Sequence, residues 1–259
     1  LSLVPISAKV RKRQNRMTIL CVIISIFLVT AIFSVADMMI RTQSDRMTGK
    51  NGSWHIELDG ISQETALKIA ERDDVVSIGA VTIFNPDGEL PYRMDGKRVV
   101  LYGIDESYLT MNSTGAAEGR FPQGMGEIML SSNAARVLQV AVGDTVTLRT
   151  PSGDWDFTVS GLGGVEESYY SGQYSLMDAY LPRTAFAALM EQNNVHNLQT
   201  SYYVQFTSAS KAAKAIPELT AQHNLPENAV SENTGVMAIA GQSDSSAAKN
   251  VYSLAAVLF

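Results

Sequence analysis

Cysteine is nearly absent from the chain: Cys21 is the single one among 259 residues. Disulfide frameworks and cysteine-rich zinc sites both need several thiols, so both are excluded. Basic residues are outnumbered, with 20 Lys and Arg against 26 Asp and Glu and a formal net charge of −6. This balance argues against a nucleic-acid-binding domain, which normally carries a basic surface. With 46% hydrophobic and 18% charged residues, the composition is typical of a folded protein with a substantial core.

Acidic residues are missing from the first 36 positions. Residues 17–36 form an apolar run whose only ionisable group is the Cys21 thiol. Twenty residues of helix are about 30 Å long, enough to cross a bilayer, and we predict a transmembrane helix over residues 17–40. Basic residues in the preceding segment, 1–16, predict that this tail is cytoplasmic by the positive-inside rule. They are Lys9, Arg11, Lys12, Arg13 and Arg16.

A cleaved signal peptide is the alternative interpretation, because Ser34-Val35-Ala36 is similar to a small-x-small cleavage site. At the other end, residues 252–259 are again mostly apolar and stop without a helix stop signal. We expect the chain to be a fragment in which residues 242–259 form a stalk and the start of a second transmembrane helix. An amphipathic C-terminal helix is the alternative there. Residues 41–53 are a predicted stalk after the first span.

Between these segments, residues 54–96 have a β-α-β pattern. Trp54, Ile56 and Leu58 alternate with polar residues as in a strand, and Ser62 can cap a helix that follows. Residues 75–84 are rich in Val and Ile and predict the second strand.

A second β-α-β pattern occurs in residues 182–241. A strand over 202–207 is followed by a helical pattern over 209–225 and a short strand at 229–231. Pro217 lies inside this helix, and we expect it to kink the helix or divide it in two. We predict an α+β fold in which the two β-α-β segments form ferredoxin-like halves of one extracytoplasmic core domain.

The segment between the two halves, residues 97–181, is predicted to be a β-rich insert. Residues 145–149 and 155–159 alternate apolar and polar residues around a Pro-Ser-Gly-Asp turn, which predicts a hairpin. Before it, a strand over 127–130 leads to a short helix capped by Ser132 or Asn133.

One run in this insert, residues 119–148, combines Gly-Arg-x-Pro, a Glu-Ile strand, a short helix and a Val-Gly-Asp turn. Taken with the membrane placement, this order resembles the extracytoplasmic core domain of FtsX-like and MacB-like permeases of ATP-binding-cassette transporters. The residues that carry the resemblance are Gly119, Arg120, Pro122, Glu127, Ile128, Gly143 and Asp144.

Their chemistry is that of structural residues. Gly143 can adopt a positive φ in a tight turn, and Asp144 can accept hydrogen bonds from nearby amides. Arg120 is expected to pair with Glu127 or Glu118 as an ordering contact.

The resemblance implies a permease in the bacterial cell membrane that works as a dimer with a second copy or a paralogue. It implies a cytoplasmic ATPase as partner subunit or domain, and an extracytoplasmic domain moved by ATP hydrolysis. Such relatives export or extract a lipoprotein, peptide or drug, or activate an envelope enzyme.

Catalytic motifs are absent from the sequence. No P-loop occurs, so ATP binding is expected in the partner, and the chain is predicted to be neither an enzyme nor the holder of a cofactor. His55, His196 and His223 share no metal-ligand spacing. A membrane-anchored envelope enzyme is therefore the weakest alternative.

A polar loop over residues 165–174 is the candidate partner-binding site, because tyrosines on polar loops are favoured at binding surfaces. A sensor ectodomain between two spans, binding its ligand through this loop, is the main alternative function. The residues concerned are Glu166, Glu167, Tyr169, Tyr170 and Tyr174.

Overall fold

The computed structural model describes residues 4–112, 115–163, 176–226 and 228–243. The chain divides into two units, residues 1–46 and residues 47–259. The helices are α1 (Val4–Asn51), α2 (Gln63–Ala70), α3 (Glu106–Met111), α4 (Ser132–Leu138), α5 (Arg183–Gln192), α6 (Ala209–His223) and α7 (Thr234–Ser243). The strands are β1 (Ile56–Leu58), β2 (Val75–Phe84), β3 (Arg93–Met94), β4 (Lys97–Ile104), β5 (Ala116–Gly119), β6 (Glu127–Ser131), β7 (Thr145–Thr150), β8 (Gly153–Gly163), β9 (Leu176–Pro182), β10 (Thr200–Phe206) and β11 (Val230–Glu232).

Helix α1 contains the apolar run. Its segment Arg16–Ala36 has a mean hydropathy of 2.9 and is unburied. In the part of the chain that the structure describes, this is the one helix segment long and apolar enough to cross a membrane. The helix is longer than the predicted span at both ends, because it already begins at Val4 and continues through most of the predicted stalk to Asn51.

One half of the domain is a four-stranded antiparallel sheet in the order β11-β1-β10-β2. The two segments with the β-α-β pattern supply these strands together with α2 and α6. Helix α2 begins where predicted, since the Ser62 side chain accepts a hydrogen bond from the Thr65 amide. Apolar residues of both helices pack with the strands in one buried cluster; Ile56, Leu58, Ile69, Val204, Phe206, Ala212 and Leu219 belong to it.

Of the two outcomes expected for Pro217, a kink or a division of the helix, the division is wrong, because α6 runs from Ala209 to His223 with the proline inside it. Pro217 and Ala213, whose carbonyl loses its usual amide partner, are both exposed. Water can therefore bind that carbonyl. Burial of Ala215 and Leu219 on the opposite face favours the unbroken helix.

The other half is a ring of six strands. Strands β4, β3, β7, β8, β6 and β9 are hydrogen-bonded in this order, and β9 closes the ring by pairing in parallel with β4. The predicted hairpin is confirmed: Val146 pairs with Phe157 and Leu148 with Trp155 in the antiparallel β7–β8 register.

Residues on both sides of the predicted β-rich insert, 97–181, contribute to its core. Tyr92 and Met94 before it, and Phe186 and Leu189 of α5 after it, lie in the same buried cluster as Phe157. The predicted caps of α4, Ser132 or Asn133, are wrong by one and two residues. The cap is Ser131, whose hydroxyl accepts from the Ala134 amide at 3.1 Å, because β6 extends one residue further than its apolar run suggests.

Candidate functional site

The residue after helix α1, Gly52, fits its place only because it has no side chain. Its amide donates to the Thr48 carbonyl at 2.9 Å, and its φ of +81° is in the left-handed region. A Cβ at this position would lie 2.6 Å from the Met111 carbonyl oxygen and 2.8 Å from Cδ1 of Trp54. A glycine after the last helical residue is a common helix end, and here it also permits a close approach to α3.

Helix α3 holds the chain that follows. The Ser53 amide donates to the Met111 carbonyl at 2.5 Å, and the Ser53 hydroxyl donates to the same oxygen at 3.3 Å. Asp105 caps α3 by accepting from the Tyr108 amide and ties it to β2 by accepting from the Ala80 amide, both at 2.9 Å. Burial raises the pKa of the Asp105 carboxyl above its ordinary value. The end of α1 is thereby connected through α3 to the four-stranded sheet.

A buried asparagine, Asn233, completes this junction from the other end of the domain. Its side-chain Nδ2 donates to the carbonyls of Asn51 at 3.1 Å and Trp54 at 2.9 Å. Its backbone amide donates to the His55 carbonyl at 2.9 Å. Its Oδ1 accepts from the Val236 amide at 3.4 Å, in the first turn of α7. One residue therefore joins the end of α1, the entry to β1 and the start of α7.

Aromatic side chains pack beside the junction. Trp54 meets Tyr203 edge-on with ring centroids 4.9 Å apart, and Tyr203 meets Tyr108 of α3 at 5.1 Å. The Tyr203 hydroxyl donates to Oε1 of Glu57 at 2.7 Å. Burial raises the pKa of both the Glu57 carboxyl and the Tyr203 phenol. These contacts tie the segment after α1 to strand β10 by side chains as well as by the backbone.

His55, just before β1, is buried. Its Nδ1 accepts a hydrogen bond from the Phe206 amide at 3.1 Å, which requires the neutral ring with its proton on Nε2. Burial lowers the pKa of this imidazole below 6.5. The residue is therefore part of the packing of β1 on β10.

The residues of the predicted family motif lie on or beside strands β5, β6 and β7, and two of them form an ion pair. Arg120 donates two hydrogen bonds of 2.5 and 2.9 Å to the Glu127 carboxylate, so its ion-pair partner is Glu127 and not Glu118. The amides of Gln123 and Gly124 also donate to this carboxylate. The Arg120 bonds and these amides lower the pKa of Glu127 to about 2. The ion pair closes the loop between β5 and β6.

The remaining motif residues have a positive φ, accept a hydrogen bond in a turn or are buried. Gly119 has a φ of +72°, and a Cβ there would clash with the Ser160 carbonyl oxygen. Gly143 has a φ of +99°, and Asp144 Oδ2 accepts from the Ala141 amide at 2.8 Å, as expected for a turn. Pro122 and Ile128 are buried.

The predicted partner-binding loop and the predicted basic tail lie in different parts of the chain. The candidate partner-binding residues Glu166, Glu167, Tyr169, Tyr170 and Tyr174 lie outside the described residues. The basic residues Lys9, Arg11, Lys12, Arg13 and Arg16 all lie on α1.

Clefts are present in the described part of the domain, and two of them have charged residues in their lining. A cleft of about 550 Å³ includes Arg93 and Arg149 in its lining, and a second of about 420 Å³ includes Arg183, Glu191 and His196. No group of His, Cys, Asp and Glu in these ranges is arranged to hold a metal ion.

Sequence reasoning missed the junction itself. A glycine after a long helix and an asparagine before a short one are visible signals of helix ends. Nothing in the sequence indicates that Asn51 and Asn233, which are 182 positions apart, are bonded.

Comparison with known proteins agrees with this fold. No curated protein is significantly similar to the chain in sequence. The crystal structure of the periplasmic region of MacB from Actinobacillus actinomycetemcomitans is similar with a TM-score of 0.52 and 14% identity, over 72% of this chain and 92% of that one. The extracellular domain of the noncanonic ABC-type transporter YknZ from Gram-positive bacteria has a TM-score of 0.46 and 16% identity, over 66% of this chain and 88% of that one.

A protein-family model matches most of the sequence. The family model of the MacB-like periplasmic core domain matches residues 17–222, which include the apolar segment of α1, the ring of strands and the four-stranded half apart from β11. This domain is a component of transporter permeases of the MacB and FtsX type. The chain belongs to the family of MacB-like periplasmic core domains.

Proposed function

We propose that this chain is part of a permease subunit that couples ATP hydrolysis by a cytoplasmic partner ATPase to movement of its extracytoplasmic domain. The observation that carries the proposal is the family match over residues 17–222, because it joins an apolar helix and this domain in one unit. A coupling role also agrees with α1, which contains the apolar segment and extends to Asn51, where the domain binds its end.

The orientation and the partners belong to the same proposal. Five basic residues before the apolar segment favour a cytoplasmic N-terminus in the bacterial cell membrane. The permease acts as a dimer with a second copy or a paralogue. ATP binds the partner, and this chain supplies no catalytic group. The work done outside is export or extraction of a lipoprotein, peptide or drug, or activation of an envelope enzyme.

A flexible insertion between Arg46 and Met47 tests the coupling. The full permease is reconstituted with its ATPase in nanodiscs, and a fluorophore pair on the two copies of the domain reports ATP-dependent movement. We expect the unmodified permease to respond to ATP and the variant with a Gly-Ser insertion at Met47 to lose the response.

The matched control carries the same insertion after Gly96, in the exposed β3–β4 turn, where a Cβ would meet nothing within 4 Å. It should keep both the response and the melting temperature. An ATP response unchanged by the Met47 insertion would refute coupling through α1. No ATP response in the unmodified permease would refute the proposed function as a whole.

A further inference from the structure

The two helices at the ends of the domain, α1 and α7, are joined by one buried side chain. We propose that Asn233 is a positioning residue that holds the end of α1 and the start of α7 in fixed geometry, so that displacement of one moves the other. This inference rests on the proposed function, in which movement of the domain is coupled through α1. We call Asn233 with the carbonyls of Asn51, Trp54 and His55 the Asn233 clasp.

The hydrogen bonds of the clasp use both donors of the side-chain amide. Asn51 is the last residue of α1, so its carbonyl has no partner within the helix. Nδ2 of Asn233 supplies that partner and binds the Trp54 carbonyl as well. Asn233 is 4% exposed, so water cannot readily replace it, and losing the amide would leave acceptors unpaired.

Asparagine is suited to this position because it donates and accepts at once. The donors bind the two carbonyls, while Oδ1 accepts from the Val236 amide and caps α7. Aspartate is as good a cap, but its ionised side chain has no donor. Gly235 lies beside the side-chain amide of Asn51, which a Cβ at that position would displace. The start of α7 and the end of α1 approach each other at a position without a side chain.

The clasp also connects both helices to the core. The Asn233 backbone amide binds the carbonyl of His55, next to β1, and the Met237 amide donates to the Asn233 carbonyl at 2.8 Å. Met237 packs against the cluster that contains α6. Movement of residues 47–51 is therefore transmitted to the sheet and to α7 together.

The test measures the geometry of the junction in the full chain, without the ATPase. Nitroxide labels are placed through Met47→Cys and Leu67→Cys in a Cys21→Ser background, at side chains that are 38% and 57% exposed. Pulsed electron paramagnetic resonance gives the distribution of distances between them in nanodiscs. The parent chain is compared with Asn233→Asp and Asn233→Ser, which both keep a cap oxygen for α7 and remove the Nδ2 amide group that donates to Asn51 and Trp54.

Asn85→Asp is the matched control. Asn85 is also 4% exposed, and its Nδ2 donates to the Val99 carbonyl at 2.9 Å, but it lies after β2, away from the clasp. We expect a narrow distribution in the parent chain and in Asn85→Asp, and a distribution at least twofold broader in both Asn233 variants. A merely structural role would lower the melting temperature of all three variants and leave the widths alike.

Equal widths in the Asn233 variants and Asn85→Asp would overturn the inference. If Asn233→Asp does not fold, the uncharged Asn233→Ser variant decides the outcome. Because the distances are measured without ATP, failure of the clasp is distinct from failure of the proposed function, which appears as no ATP response in the parent permease.

Discussion

Replacing Gly52 by alanine is expected to destabilise the domain more than the same replacement at Gly96. Both glycines have a positive φ, +81° at Gly52 and +72° at Gly96. A Cβ at Gly96 meets no atom within 4 Å, whereas a Cβ at Gly52 lies 2.6 Å from the Met111 carbonyl oxygen. The pair of variants therefore separates the cost of the backbone conformation from the cost of the close approach.

The magnitude follows from these contacts. A left-handed conformation costs a residue with a Cβ about 1–2 kcal/mol, and this applies to both variants. At Gly52 the clash also pushes the chain away from α3, where the Ser53 amide and hydroxyl both bind the Met111 carbonyl. Two hydrogen bonds contribute about 1 kcal/mol each. Gly52→Ala should therefore be about 2 kcal/mol less stable than Gly96→Ala.

Thermal unfolding of the full chain in detergent, followed by circular dichroism, measures this difference. For a domain of this size, about 2 kcal/mol corresponds to a difference of about 4–8 °C between the two melting temperatures. The fluorescence of Trp54, whose Cδ1 lies 2.8 Å from the Cβ position at Gly52, should change only in Gly52→Ala. Equal melting temperatures in the two variants would refute the argument that close packing requires this glycine.

Three further variants test other parts of the domain. Burial lowers the pKa of His55 below its ordinary 6.5, so the neutral ring's contribution to stability is complete above pH 6.5 and is lost as the pH falls toward the folded-state pKa. Denaturant titrations from pH 7.5 to 5 should show this loss of stability, and the pH dependence should be weaker in His55→Gln. Glu127→Gln removes the ion pair with Arg120 and should lower the midpoint of unfolding at pH 7. The folded-state pKa of about 2 lies below the ordinary 4.5, so the deficit should shrink as the pH falls from 4.5 toward 2, and a constant deficit would contradict the assignment. Pro217→Ala should stabilise the domain by about 2 kcal/mol, because it restores an amide donor inside α6 at an exposed position; a lower midpoint of denaturation would show that the proline is needed for the helix.

The sequence by itself determined the features that depend on neighbouring residues. The strand over residues 75–84, the Ser62 cap and the β7–β8 hairpin all agree with it, because the spacing of apolar and turn residues sets them locally. The apolar segment of α1 follows in the same way from an uninterrupted hydrophobic run. The cap of α4 was missed, because β6 extends to Ser131 and places that residue, not Ser132 or Asn133, at the start of the helix.

Only the tertiary structure decided which distant segments meet. The parallel pairing of β4 with β9 closes the ring of strands, and α5 packs into the core of this ring. The sequence could not predict either feature, because pairing between distant strands leaves no periodic pattern of apolar residues. Glu127, and not the nearer Glu118, pairs with Arg120 because the loop between β5 and β6 brings its carboxylate back. The Asn233 clasp joins residues 182 positions apart. Its hydrogen bonds depend on the folded sheet. Strand β1, which follows α1, pairs there with β11, which precedes α7, and this pairing brings the two ends of the domain together.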